Sequence, residues 1–169
     1  MNIFGTNHLI ISRFDETHES DFFTLNSHPE VMRYIRPVKN EEECRTFLAE
    51  NIRLYRSGSV IGRYHVAEKN THLFVGTFSV LMMPDRDAYH IGYALMPWAQ
   101  GKGWAKELVL GGLQWVFANT DKSELFAITE PENIRSVAVL ERTGFSFLES
   151  IQQNQALLSV YTINRSLNA

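Results

Sequence analysis

The sequence predicts an α+β (mixed α/β) fold in one domain over residues 1–169, a mostly antiparallel mixed sheet with helices on both faces. Three observations carry this. Short β-rich runs in the middle of the chain are separated by tight polar turns, as antiparallel neighbours are. One stretch, "HIGYALMPWAQGKGWAKELVLGGLQWVF" (His90 to Phe117), passes from strand to helix and leads to a further strand, forming a βαβ crossover. No repeat, low-complexity tract or long linker divides the chain, and 169 residues suffice to bury one continuous core.

The elements follow in order. "HLIISRF" (His8 to Phe14) is short and β-branched, hence a strand. "DETHESDFFTLNSH" (Asp15 to His28) is read as a helix on a weak pattern. "NEEECRTFLAENIRLYRSG" predicts a better-specified helix: Asn40 can cap it, Glu43 stands three residues on, and the acids lie at the positive end of the helix dipole. Cys44, Phe47, Leu48, Ile52 and Tyr55 fall on one face, which assigns Cys44 to the core. Three strands follow, "VIGRYHVAE", "HLFVGTFSVLM" and "AYHIGYALM", joined by "KNT" and "PDRD". A helix from about Lys102 to Ala118 leads to the strand "ELFAITE". "ENIRSVAVLERTGF" is a helix closed by Gly144, and "FSFLESIQ" and "ALLSVYTINR" are strands flanking the turn "QNQ".

Composition bounds the function. Hydrophobic residues at 44% and charged residues at 21% are ordinary for a soluble globular chain, and a net charge of −3 argues against a general nucleic-acid binder. No stretch nears the roughly 18 apolar residues that span a bilayer. The start, "MNIFGTNHLI", lacks the basic and apolar regions of a secretion signal, and the single Cys44 rules out an internal disulfide framework. These features predict a cytoplasmic protein without nucleic-acid or membrane partners. The histidines show no metal-ligand spacing with Cys44 or each other, so no metal is expected.

The chemistry is concentrated in QGKGWA, Gln100 to Ala105. Pro97 has no N–H and stops the preceding strand's ladder. Gly101 and Gly103 then expose backbone N–H groups at a helix N-terminus, where unpaired donors and the helix dipole favour an anion. Two readings stay open on spacing alone: a phosphate cradle, or glycines that merely make a tight turn. The loop does not fit G-x-x-x-x-G-K-[ST]. A dinucleotide fingerprint would need glycine where Lys106 stands, and several βαβ units after it.

The stretch "GYALMPWAQGKGWAKELV" resembles the acetyl-CoA motif of the GNAT superfamily of N-acetyltransferases, [QR]-x-x-G-x-[GA], with Gln100, Gly103 and Ala105 in its defined places. "PENIRSVAVLERTGF" resembles the family's second pattern through Asn133, Ser136, Glu141, Arg142, Gly144 and Phe145. "HPEVMRYI" and "HLIISRF" look like the RimJ/RimL-like branch, which acetylates ribosomal-protein N-termini. The resemblance covers nearly the whole chain.

It implies a sheet splayed between the fourth and fifth predicted strands, ending near Met96 and Thr129, with acetyl-CoA as co-substrate. The pantetheine arm would bond backbone groups of Leu95 and Met96. The pyrophosphate would rest on the Gln100, Gly101, Lys102, Gly103, Trp104 and Ala105 loop, Asn133 would hold the cofactor through its amide, and Lys102 and Lys106 could add charge. The implied activity is N-acetylation of a primary amine, on a protein N-terminus, an amino acid or a small amine, by direct attack. A non-catalytic CoA-binding regulatory module is the alternative. The Met96 N–H is the expected oxyanion donor. Ser136 is the expected proton donor to the thiolate, since no tyrosine stands between Asn133 and Phe145. For the base, His90 and Glu130 are candidates, and Tyr89, on the opposite strand face from His90, is a third. The partner is a small-molecule or peptide amine, and a homodimer is compatible with the sequence.

Overall fold

The computed structural model describes residues 1–166. Eight strands form one sheet: β1 (Asn2–Gly5), β2 (Leu9–Arg13), β3 (Gly62–Glu68), β4 (Phe74–Met82), β5 (Tyr89–Leu95), β6 (Glu124–Thr129), β7 (Ser146–Gln153) and β8 (Ala156–Asn164). Their spatial order is β1-β2-β3-β4-β5-β6-β8-β7, so β8 lies between β6 and β7. All neighbours are antiparallel except β5 and β6, the pair joined by the crossover helix. The helices are α1 (Glu19–Asn26), α2 (Pro29–Met32), α3 (Glu41–Leu54), α4 (Trp104–Asn119) and α5 (Ile134–Arg142).

Each element has a local cause. Asn40 and Glu43 form the reciprocal capping box at the start of α3, with bonds of 2.9 and 2.8 Å. Cys44 and Leu48 on its inner face are buried. The β7–β8 turn places Asn154 and Gln155 at φ 50° and 65°, the two positive values that a two-residue hairpin matching strand twist requires. Two expectations need correction. Residues 15–28 do not form one helix: Asp15 caps a 3₁₀ turn, Glu16–His18, before α1 begins, and Pro29 starts α2. β1 had no sequence signature, because four residues with both ends exposed show no alternation. It is held from outside, by Phe4 stacked on Trp115 at 5.7 Å and set edge-on to Phe78 at 5.6 Å.

The sheet is covered on both faces. Ile11, Val66, Phe78, Val80 and Ile91 pack under Leu108, Val109 and Val116 of α4. On the other face, Phe74 and Ala94 meet Phe14, Phe22, Leu25, Met32, Cys44 and Leu48 from the α1–α3 side. β4 carries a bulge at Val75, opposite the step from Val66 to Ala67. Beside it Gly76 sits at φ 155°, where a Cβ would lie 2.1 Å from the Ala94 carbonyl oxygen. Only glycine permits that approach of β4 to the end of β5.

Candidate active site

β5 and β6 pair at a single position, His90 with Phe126, and then part. The backbone along the gap is set by the ladder on the other side of β5. Met96 donates its N–H to Val75 O at 2.9 Å, and successive strand residues alternate sides, so Tyr93 and Leu95 turn their N–H and C=O groups toward the gap. The expectation that Met96 offers a free N–H therefore fails: the bulge at Val75 supplies it with an acceptor. Leu95 and Tyr93 carry the donors that face the gap. Gln100 Nε2 donates to Leu95 O at 3.1 Å and its Oε1 accepts from Arg135 Nη1 at 2.9 Å, tying the strand end to α5.

A 3₁₀ turn, Pro97–Ala99, brings the chain to the glycine loop. Gly101 and Gly103 adopt φ 73° and 78°, and a Cβ on either would meet no atom within 4 Å. The space above the loop is open. Glu107 N–H, bonded to Gly103 O at 3.2 Å, is the first donor engaged within α4, and the N–H groups of Gly101 to Lys106 find no acceptor among the described residues. Unpaired donors, a helix N-terminus and absent Cβ atoms together fit a pyrophosphate. Glu107, the one acid of this first turn, is drawn off by the Thr6 hydroxyl and by the His8 N–H and ring at 2.7 and 2.8 Å. Lys102 lies over the Trp104 ring at 4.5 Å, while Trp104 itself is buried and offers the loop its backbone alone.

Two cavities of about 910 and 1210 Å³ meet at the gap. The larger runs along Leu95, the glycine loop, Asn133 and Ser136, and the smaller lies on the α1–α2 side, bounded by Arg63, His90 and Glu130. Tyr93 lines both. Asn133 caps α5, accepting from Ser136 N–H at 3.3 Å, which leaves its amide nitrogen for a ligand. Ser136 and Tyr93 both line the larger cavity, and burial raises the pKa of the Tyr93 phenol while Ser136 nearby lowers it in part. Sequence reasoning sought a tyrosine on α5 and missed Tyr93 on β5. The available signal was alternation, which puts Tyr89, Ile91, Tyr93 and Leu95 on one face of the strand.

The base candidates separate. Tyr89 lines neither cavity and packs against the core with Lys122 over its ring at 4.9 Å. His90 does face the smaller cavity, but burial, and then the nearby Arg63, lower its pKa from 6.5 to about 4. It stays neutral at physiological pH, because a proton there would create a buried positive charge near Arg63. Glu130 stands just past the end of β6, on the wall of the same cavity.

The profile of the acetyltransferase (GNAT) domain matches residues 8–146. The chain belongs to the GNAT acetyltransferase family. Among relatives of the GNAT chain, "Uncharacterized N-acetyltransferase YnaD" of Bacillus subtilis is 26% identical over 140 residues, covering 82% of this chain and 79% of that protein. An acetyltransferase from Salmonella typhimurium that modifies the N-terminal serine of ribosomal protein L7/L12 shares the fold with a TM-score of 0.83 and 20% identity, covering 98% of this chain and 100% of that one. A spermidine N-acetyltransferase from Vibrio cholerae, solved with CoA and spermine, superposes with a TM-score of 0.78 and 16% identity over 92% and 95% of the two chains. The protein is thus an acetyl-CoA-dependent N-acetyltransferase. Among the described residues no helix is long and apolar enough to cross a membrane, and no cluster of three His, Cys, Asp or Glu side chains could hold a metal.

Proposed function

We propose that the enzyme transfers an acetyl group directly to the amine of a small molecule or peptide bound in the cavity beside His90 and Glu130. One observation carries the reading: the glycine-loop cavity and the smaller cavity join at Tyr93, where β5 and β6 part. Acetyl-CoA supplies the acetyl group as a thioester. Gly101 to Ala105 hold its pyrophosphate, Leu95 and Asn133 its arm, and the N–H groups of Tyr93 and Leu95 are the donors for a developing oxyanion. The neutral amine attacks the carbonyl carbon. A C–N bond forms, the C–S bond breaks, and the amine's proton passes to Glu130, directly or through water. Ser136, on the same cavity wall as the Tyr93 phenol, returns a proton to the departing sulfur. His90 shapes the wall as a neutral group. Neighbours described as acting on a protein N-terminus and on spermidine support an amine acceptor, as the RimJ/RimL-like opening does. The single, buried Cys44 agrees with a reducing, cytoplasmic setting.

The test is release of free CoA thiol from acetyl-CoA with an amine panel, in parent, Ser136→Ala and Tyr93→Phe enzymes. Each variant should lose at least about tenfold in kcat with KM for the amine nearly unchanged, because the proton is donated only in the transition state. Full kcat in both variants would remove the donor assignment. A change confined to acetyl-CoA affinity would make Ser136 a cofactor contact alone.

A further inference from the structure

The smaller cavity has an unusual wall. Arg36, in the loop from α2 to α3, and Arg63, on β3, are both largely withdrawn from solvent and lie against the same ring, their guanidinium carbons 5.1 and 4.5 Å from the Phe47 centroid. Lys39 approaches that ring to 5.3 Å. Among the described residues none of the three cations forms an ion pair. Arg36 donates to Asn26 Oδ1 at 2.6 Å, and the Arg63 guanidinium finds no acceptor among the described residues. Arg45, by contrast, pairs with Glu19 and Glu41, and Arg86 with Asp85 and Glu149. Withdrawn charges are ordinarily paired, because desolvation without a counterion is costly.

The imbalance points into the cavity. Its lining holds Arg33, Arg36 and Arg63 against one carboxylate, Glu130. Glu130 follows β6 at the parting of the strands, whereas Arg63 stands across β4, with Arg36 against the same Phe47 ring. Thr77 and Ser79 of β4 line the floor between them. Arg63 pairs with Ser79, and Ser79 with Gly92, so the Arg63 backbone stands two strand spacings, roughly 10 Å, from β5. A ligand touching both ends is therefore small, in keeping with a cavity of about 910 Å³.

We propose that the acceptor is a small amine carrying its own acidic group, a carboxylate or phosphate of an amino acid or similar zwitterion, docked on Arg63 and Arg36 with its nitrogen toward Glu130. The inference rests on the acetyl-transfer reading of the same site. Guanidinium forks match both anions in two-point contacts. Burial, and then Arg36, lower the Arg63 pKa to about 10, so it remains charged and gains from any anion placed beside it. A polyamine would bring positive charge to three arginines, which sets this cavity apart from one that takes spermidine.

Matched acceptors test the proposal: L-phenylalanine against phenethylamine, O-phosphoethanolamine against ethanolamine, and spermidine. Each is assayed by CoA release, and each is also titrated calorimetrically into enzyme saturated with CoA. The acidic member of at least one pair should bind and turn over better; the two pairs separate carboxylate from phosphate. Arg63→Gln should raise KM and Kd for that acceptor by about ten- to a hundredfold, the worth of one charged hydrogen bond, with acetyl-CoA affinity unchanged. Arg63→Lys should recover part of it, and Arg36→Gln should act in the same direction, with circular dichroism confirming that each variant is folded. Neutral amines or spermidine preferred over their acidic counterparts, or an unchanged KM and Kd in both glutamine variants, would overturn the proposal. Arginine-dependent binding without any turnover would fault the acetyl-transfer reading instead and support the anion site.

Discussion

Replacing His90 with glutamine should flatten the acid side of the stability profile. Burial, and then Arg63, lower the His90 pKa from 6.5 in the unfolded chain to about 4 in the fold. Between those values the unfolded state binds a proton that the folded state refuses, so stability falls as pH falls. The contribution is fully present above about pH 6.5 and fully lost below about pH 4. A difference of about 2.5 pH units at about 1.4 kcal/mol each makes it about 3 kcal/mol. His65 acts in the same direction, its pKa lowered by burial against the opposing bond to Asp21, so a smaller slope survives in the variant. Urea unfolding of the parent and His90→Gln at steps from pH 4 to 7.5 reads the difference directly. Parallel curves would refute the burial argument. The same variant should keep an acidic limb of kcat/KM that lies near neutrality, measured with one amine in both enzymes, since a His90 that titrates near 4 is already deprotonated throughout that range. A limb lost in His90→Gln would return the base to His90 and displace Glu130.

Two further substitutions test the scaffold. Gly103→Ala should leave the chain folded, at a cost of roughly 1–2 kcal/mol for a left-handed residue, because its Cβ meets no protein atom within 4 Å. Its acetyl-CoA affinity by calorimetry should fall at least about tenfold as the methyl fills the cradle, and an unchanged Kd would remove the pyrophosphate assignment. Gly76→Ala places its Cβ 2.1 Å from the Ala94 carbonyl oxygen, a backbone clash that only separation of β4 and β5 relieves. Urea unfolding should show a loss of at least about 2 kcal/mol, and a loss below about 1 kcal/mol would mean that the bulge relaxes freely.

The sequence alone determined whatever is encoded within a turn or two of chain. The Asn40–Glu43 capping box, the inward Cys44 face of α3, the helix start behind Gly101 and Gly103 and the crossover of β5, α4 and β6 all depend on neighbours close in the chain. Period and capping chemistry report such neighbours directly. Tertiary structure decided whatever depends on a distant partner. β1 exists because Phe4 meets Trp115 and Phe78, and β8 enters between β6 and β7, which alternation cannot specify. The Met96 N–H is lost to Val75 across a bulge, Tyr93 and Ser136 line one cavity from different elements, and Arg36 and Arg63 converge on Phe47 from separate strands and loops. Alternation tells which residues share a face, but only the packed sheet tells what lies across from them. The proposed cofactor cradle, made of consecutive backbone, lies within one loop that the sequence displays, whereas the proposed acceptor pocket gathers side chains from several strands and helices that the sequence keeps apart.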